Sequence, residues 1–153
     1  PAAAQRVQRL VDDAVAKGGR LVTGALQVDG SIMQPALVDG LTPDMSLYRE
    51  EAFGPVVTVL RAEDDEAAVR LANDSEYGLG AYVHTQNLRR AHHVTAQLQA
   101  GMIHVNGSGE AMQPNCPFGG WKKSGHGRLG GIEGLNEFMQ PKNIWMSLKG
   151  PEA

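Results

Sequence analysis

Two neighbouring carboxylates, a lone thiol, 5 imidazoles and a glycine fingerprint are the groups in this sequence whose types and spacing could do chemistry. Glu50 and Glu51 stand side by side, ahead of Phe53-Gly54-Pro55. Adjacent acids raise the idea of paired acid/base work, but neighbours on a strand or extended loop point to opposite sides, so no dyad is expected. Cys116, with histidines elsewhere in the chain, raises the idea of a nucleophile and its base. His84, His92, His93, His104 and His126 include no pairing with another ligand at the spacing of a structural zinc site, so no metal centre is expected. Gly125-His126-Gly127-Arg128-Leu129-Gly130 fits G-x-G-x-x-G. That fingerprint needs a strand before it, a helix after it and an acid further on. Lys122 and Lys123 precede it and no acid follows at the expected separation, so these glycines are read as bending a loop.

The elements that must position these groups follow from periodicity. Val7, Leu10, Val11, Ala14 and Val15 recur on one helical face, and Gly18 sits where a left-handed stop belongs, which predicts a helix over 3–17. Between 20 and 40, short apolar runs broken by Gly24, Asp29-Gly30, Pro35 and Asp39-Gly40 read as strands or loops joined by turns. The β-branched run 56–60 predicts a strand. Asp64 or Asp65 can cap a helix carrying Ala67, Ala68, Leu71 and Ala72. A strand over 80–84, a helix capped by Asn87 and stopped by Gly101, and a strand over 102–105 complete a βαβαβ pattern across 56–106. Strands that are apolar on both faces and alternate with helices imply an α/β fold with a covered parallel sheet, whose ligands sit at the carboxyl ends of the strands. The glycine-rich stretch 107–134 is long for a loop and is read as functional. A last strand over 143–148, with Ile144, Trp145, Met146 and Leu148, is too apolar for a free tail, so something must cover it.

Composition narrows the classes. The chain of 153 residues has the length of one domain or a piece of one, and 42% hydrophobic with 20% charged residues is ordinary for a globular protein. A net charge of -3 with scattered Lys and Arg gives no footprint for nucleic acid or anionic lipid. There is no apolar run of membrane-spanning length, and one cysteine makes no internal disulfide, so a reducing, cytoplasmic setting is expected. The start at Pro1, passing almost directly into a helical pattern, reads as a chain that extends further upstream.

Three stretches, in order, resemble the aldehyde dehydrogenase family: Glu50-Glu51-Ala52-Phe53-Gly54-Pro55-Val56, Asn73-Asp74-Ser75-Glu76-Tyr77-Gly78-Leu79, and Pro117-Phe118-Gly119-Gly120-Trp121-Lys122-Lys123-Ser124-Gly125. They flank the βαβαβ pattern, with Val105-Asn106 between the second and third. The resemblance implies residues 1–140 as the C-terminal portion of a parallel-sheet catalytic domain and 141–153 as an oligomerisation strand and tail. It implies NAD or NADP as cofactor, an aldehyde as substrate and a homo-oligomer.

The resemblance also assigns roles. Glu51 would accept hydrogen bonds from the nicotinamide ribose, since an ionised carboxylate can take both donors of a diol, and Phe53 would pack near the nicotinamide. Glu50 is read as a solvated acid. Phe118 would wall the aldehyde tunnel, the alternative being core packing beside Gly119-Gly120, and the loop 107–115 would shape substrate choice. Asn106 is read as a structural hydrogen-bonding residue at a strand end. The family's nucleophilic cysteine and general base belong to motifs upstream of residue 1, so Cys116 is not the nucleophile and no catalytic residue lies in this chain. Leu129 stands where many members carry an acid, so a salt link is expected to be missing there; Gly-Arg-apolar-Gly-Gly resembles the branch acting on aromatic aldehydes. The expected function is thus part of an oxidoreductase that converts an aldehyde to a carboxylic acid through a cysteine thioester, inactive in isolation. The competing reading is a non-catalytic interaction or oligomerisation module.

Overall fold

The computed structural model describes residues 1–23, 26–107, 113–148 and 150. The chain divides into two compact units, Pro1–Ser75 and Glu76–Ala153.

In the first unit, helix α1 (Ala2–Ala16) buries Ala4, Val7, Leu10, Val11 and Ala14, the face its apolar spacing marks out. It ends as Gly18 turns to φ 99°. Next come β1 (Arg20–Leu21), a hairpin of β2 (Val28–Asp29) and β3 (Ile32–Met33), and β4 (Ala36–Asp39). A four-residue helix α2 (Ser46–Arg49) follows, then β5 (Val56–Val59) and α3 (Asp65–Asn73). Strand β4 is central, antiparallel to β1 and parallel to β5, with Ala36 opposite Val56 and Asp39 opposite Val59. Leu10, Val11 and Ala14 of α1 pack with Val38, Leu41, Met45 and Leu47 as the core. Asp64 caps α3 by accepting from the Ala67 amide at 2.7 Å. Helix α2 is too short to leave a periodic signal. The Asp13 carboxylate of α1 accepts from the amide of its first residue, Ser46, at 2.8 Å, a contact made across 33 positions.

The second unit begins with β6 (Tyr77–Gly78) and β7 (Gly80–Val83), then α4 (Leu88–Thr95) and β8 (Met102–Val105). Strands β7 and β8 pair in parallel around the helical crossover, with Tyr82 opposite His104, and Asn87 caps α4 by accepting from the Arg90 amide at 3.1 Å. The run expected as one βαβαβ segment over 56–106 therefore divides: β5 and α3 belong to the first unit, β7, α4 and β8 to the second. The described part of the glycine-rich stretch, 113–134, is more ordered than a loop. It contains β9 (Trp121–Lys122), antiparallel to β6, and the start of a short helix α5 (Gly131–Asn136). A Cβ at Gly101 would collide with the Gly119 carbonyl, so this close backbone approach demands glycine.

The strand expected over 143–148 does not form within the chain: no described residue there is in a strand, and Trp145 is 89% exposed. A strand exists only through another strand's amides and carbonyls, and no strand among the described residues pairs with this segment.

Asp39 is a buried carboxylate at the end of β4, where it accepts from Arg61 and, at 2.7 Å, from Arg20. Those hydrogen bonds, Arg61's first, hold its pKa down from 3.8 to about 2. A depressed carboxylate pKa stabilises the fold above the unfolded value and loses that contribution as pH falls through the folded one. Urea unfolding is therefore expected to show stability declining between about pH 4 and pH 2, with a shallower decline over that window in Asp39→Asn. Identical slopes in the two proteins would contradict the assignment. Met45, 1% exposed in the core, provides a second check: Met45→Ala is expected to cost about 2–5 kcal/mol in the same unfolding experiment.

Candidate functional site

The loop after α2 carries the first two candidate residues. Glu50 leaves the helix in extended conformation, and Phe53 then turns the chain into the left-handed region at φ 46°. Few bulky residues occupy that region, so the turn has to be held from outside. Arg6 of α1 does so: Nη2 donates to the Glu51 carbonyl at 2.9 Å and to the Ala52 carbonyl at 2.6 Å, and Nη1 lies 3.6 Å from the Glu50 carboxylate. At Gly54 an added Cβ would lie 2.8 Å from a methyl of Val7, which is buried and cannot yield. Beyond it, the Pro55 carbonyl accepts from the Ala36 amide at 2.8 Å and joins the loop to the β4–β5 ladder. The Glu51 carboxylate makes no ion pair or side-chain hydrogen bond among the described residues, and Phe53 is 82% exposed. Glu50, read from the sequence as merely solvated, is exposed but faces Arg6.

Phe118 belongs to the second unit, where its backbone exchanges hydrogen bonds with Leu129 at 2.7 and 2.8 Å. It is half-buried and lines a cavity of about 760 Å³. Tyr82, Met102 and His104 line the same cavity, and the Tyr82 and His104 rings stack with centroids 5.2 Å apart. Sequence reasoning missed Tyr82 and His104 because only the parallel register of β7 and β8 sets them side by side. Cys116 is also on this wall, exposed, with its Sγ 4.0 Å from Asn115 Oδ1. No hydrogen bond joins it to a histidine among the described residues. Of the loop 107–115, residues 108–112 lie outside the described residues.

Asn106 closes the β7–β8 ladder. At φ 56°, its Oδ1 accepts from the Thr85 amide at 2.9 Å and its Nδ2 donates to the Thr85 carbonyl at 2.8 Å, so the side chain supplies a rung where the strands end. The glycine pattern 125–130 is followed by a helix, α5, but β9 before it runs antiparallel to β6, so the strand–turn–helix of a dinucleotide fold is absent there. The Arg128 guanidinium donates to the Gly120 carbonyl at 3.0 Å and the Gly127 carbonyl at 2.8 Å, tying the bend to its neighbours where Leu129 offers no acid. No cluster of three His, Cys, Asp or Glu suited to a metal occurs among the described residues.

Comparison with known proteins matches these features to one family. The model of the aldehyde dehydrogenase family matches residues 1–144. Vanillin dehydrogenase of Pseudomonas fluorescens is 47% identical over 150 residues, 97% of this chain and 30% of that protein. The NADP/NAD-dependent aldehyde dehydrogenase PuuC of Escherichia coli strain K12 is 40% identical over 146 residues, 95% of this chain and 29% of that protein. A solved salicylaldehyde dehydrogenase from Pseudomonas putida G7, complexed with salicylaldehyde, aligns with a TM-score of 0.88 at 33% identity over 99% of this chain and 32% of that one. The chain belongs to the aldehyde dehydrogenase family and has its mixed α/β fold. It spans about 30% of the length of the curated relatives it matches.

The geometry at Asn106 generates a specific expectation. Asn106→Ala removes both bonds to Thr85 and leaves an alanine at positive φ, a loss of about 1–3 kcal/mol in urea unfolding. Asn106→Gly loses the same bonds without the backbone strain and is expected to lie between alanine and wild type. Alanine matching wild type would remove Asn106 from the ladder.

Proposed function

We propose that this chain is the C-terminal portion of an oxidoreductase that converts an aldehyde to a carboxylic acid with NAD or NADP through a cysteine thioester. Its part is to hold the cofactor's nicotinamide ribose and to form one wall of the aldehyde site. The nucleophile and general base lie outside these 153 residues, and Cys116 is hydrogen-bonded to no histidine among the described residues. The observation that carries the reading is the Glu51 loop. It presents a carboxylate without a partner among the described residues, on a backbone fixed on one side by Arg6 and on the other by Gly54 against Val7.

A carboxylate whose two oxygens are uncommitted among the described residues suits a ribose diol, which offers two hydroxyl donors, and exposed Phe53 offers an apolar face beside it. The cofactor, when bound, supplies the hydride acceptor. Phe118 and the Tyr82–His104 stack give the aldehyde side a largely apolar and aromatic lining, which suits a ring-bearing aldehyde. Similarity to proteins named for vanillin and salicylaldehyde supports that substrate class. The apolar tail, with Ile144, Trp145 and Met146 exposed, is proposed to pair with another subunit of a homo-oligomer, and the setting is proposed to be cytoplasmic.

Two measurements test this reading. The purified 153-residue chain, offered an aldehyde and either cofactor, is expected to produce no NADH or NADPH by absorbance, because nucleophile and base are elsewhere. Turnover in a preparation free of longer protein would overturn the assignment. In the full-length protein, Glu51→Gln exchanges one acceptor oxygen for an NH₂ group and is expected to slow single-turnover hydride transfer roughly ten- to a hundredfold, with the fold unchanged by circular dichroism. Unchanged hydride transfer in a folded Glu51→Gln protein would return Glu51 to the class of surface acids.

A further inference from the structure

We propose that Arg6 is a positioning residue for Glu51, its guanidinium fork clamping the loop onto helix α1 and so setting the aim of the carboxylate. This rests on the cofactor reading above. One side chain engages three consecutive residues: it approaches the carboxylate of Glu50 and donates to the carbonyls of Glu51 and Ala52. The Glu51 side chain has no protein partner among the described residues, so its backbone sets where the side chain starts and which positions the carboxylate can reach, and Arg6 holds the carbonyl of that residue.

The neighbouring residue of α1 completes the clamp. Val7 leaves no room for a Cβ at Gly54, so the helix touches the loop on both sides of Phe53, the residue forced to positive φ. Arg6 and Val7 are consecutive, and Val7 is anchored in the buried stripe of α1, so the loop is tied to the helix at two adjacent positions.

Charge separates the two acids. Glu50 faces the guanidinium, while Glu51 contributes only its carbonyl and keeps its carboxylate available for neutral hydroxyl donors. A lysine at position 6 could not reproduce this, because one ammonium lacks the planar fork that reaches two carbonyls and a carboxylate together.

The test uses the full-length protein with Arg6→Met, Arg6→Lys, Glu51→Gln and the Arg6→Met/Glu51→Gln double variant. The first readout is amide hydrogen exchange of Ala36 and Val56 without cofactor, whose amides donate to the Pro55 and Gly54 carbonyls of the loop, expected to accelerate at least about tenfold in Arg6→Met, with the buried face of α1 unchanged. The second is single-turnover hydride transfer, expected to slow about tenfold in Arg6→Met and less in Arg6→Lys. The double variant is expected to be no slower than Glu51→Gln alone, since Arg6 acts through Glu51. Unchanged exchange in Arg6→Met overturns the clamp. Additive losses in the double variant overturn action through Glu51. A slow Glu51→Gln beside a normal Arg6→Met overturns the role of Arg6 alone, whereas a normal Glu51→Gln removes the cofactor reading and this proposal with it.

Discussion

Two carbonyl oxygens held by one guanidinium decide the shape of the loop on which the functional reading depends. Ordering residues 51–53 costs about 1–2 kcal/mol of backbone entropy each, or about 3–6 kcal/mol in all. Two hydrogen bonds from a charged donor return about 1.5–3 kcal/mol each, which is the same range. The loop is therefore near balance on its backbone alone, and the Arg6 fork is what makes a left-handed Phe53 tolerable. The fork is steady because Val7, Leu10, Val11 and Ala14 of its helix are buried. Val7, Leu10 and Val11 each contribute up to about 1.5–3 kcal/mol when fully removed from water, so the helix is the firmer of the two partners.

The second unit obeys a different constraint, close backbone approach. Gly101 must pass beside the Gly119 carbonyl, and Gly78 beside the carbonyl of Gln99, before β6 can meet β9 and β7 can meet β8. The result is a parallel strand pair that presents Tyr82 and His104 to the same cavity as Phe118. The glycines that read as punctuation along the sequence thus act as clearance in space. They let the segment carrying Phe118 lie against the strands.

Much of this was legible from residues alone where the determinant is local. The helix expected over 3–17 forms as Ala2–Ala16, Asp64 and Asn87 cap the helices their positions mark, and the runs beginning at Val56, Gly80 and Met102 are strands. Asn106 is the structural strand-end residue it was read to be. What escaped notice depends on distance along the chain or on length. Helix α2 has four residues and no period, and the two-residue β9 exists only because β6 lies opposite it. Arg6 meets the Glu51 carbonyl across 45 positions, a contact no local pattern announces. The apolar tail was readable as a segment needing cover, but strand geometry over 143–148 requires a paired strand, and none pairs with it among the described residues.

The account stands on where the Glu51 carboxylate goes when a nicotinamide cofactor is present. A crystal structure of the full-length protein with bound NAD or NADP measures this directly. The account predicts both Glu51 oxygens at about 2.5–2.7 Å from the two hydroxyls of the nicotinamide ribose. It also predicts Arg6 still on the carbonyls of Glu51 and Ala52. A nicotinamide ribose held by other groups, with the Glu51 carboxylate facing solvent, would contradict it.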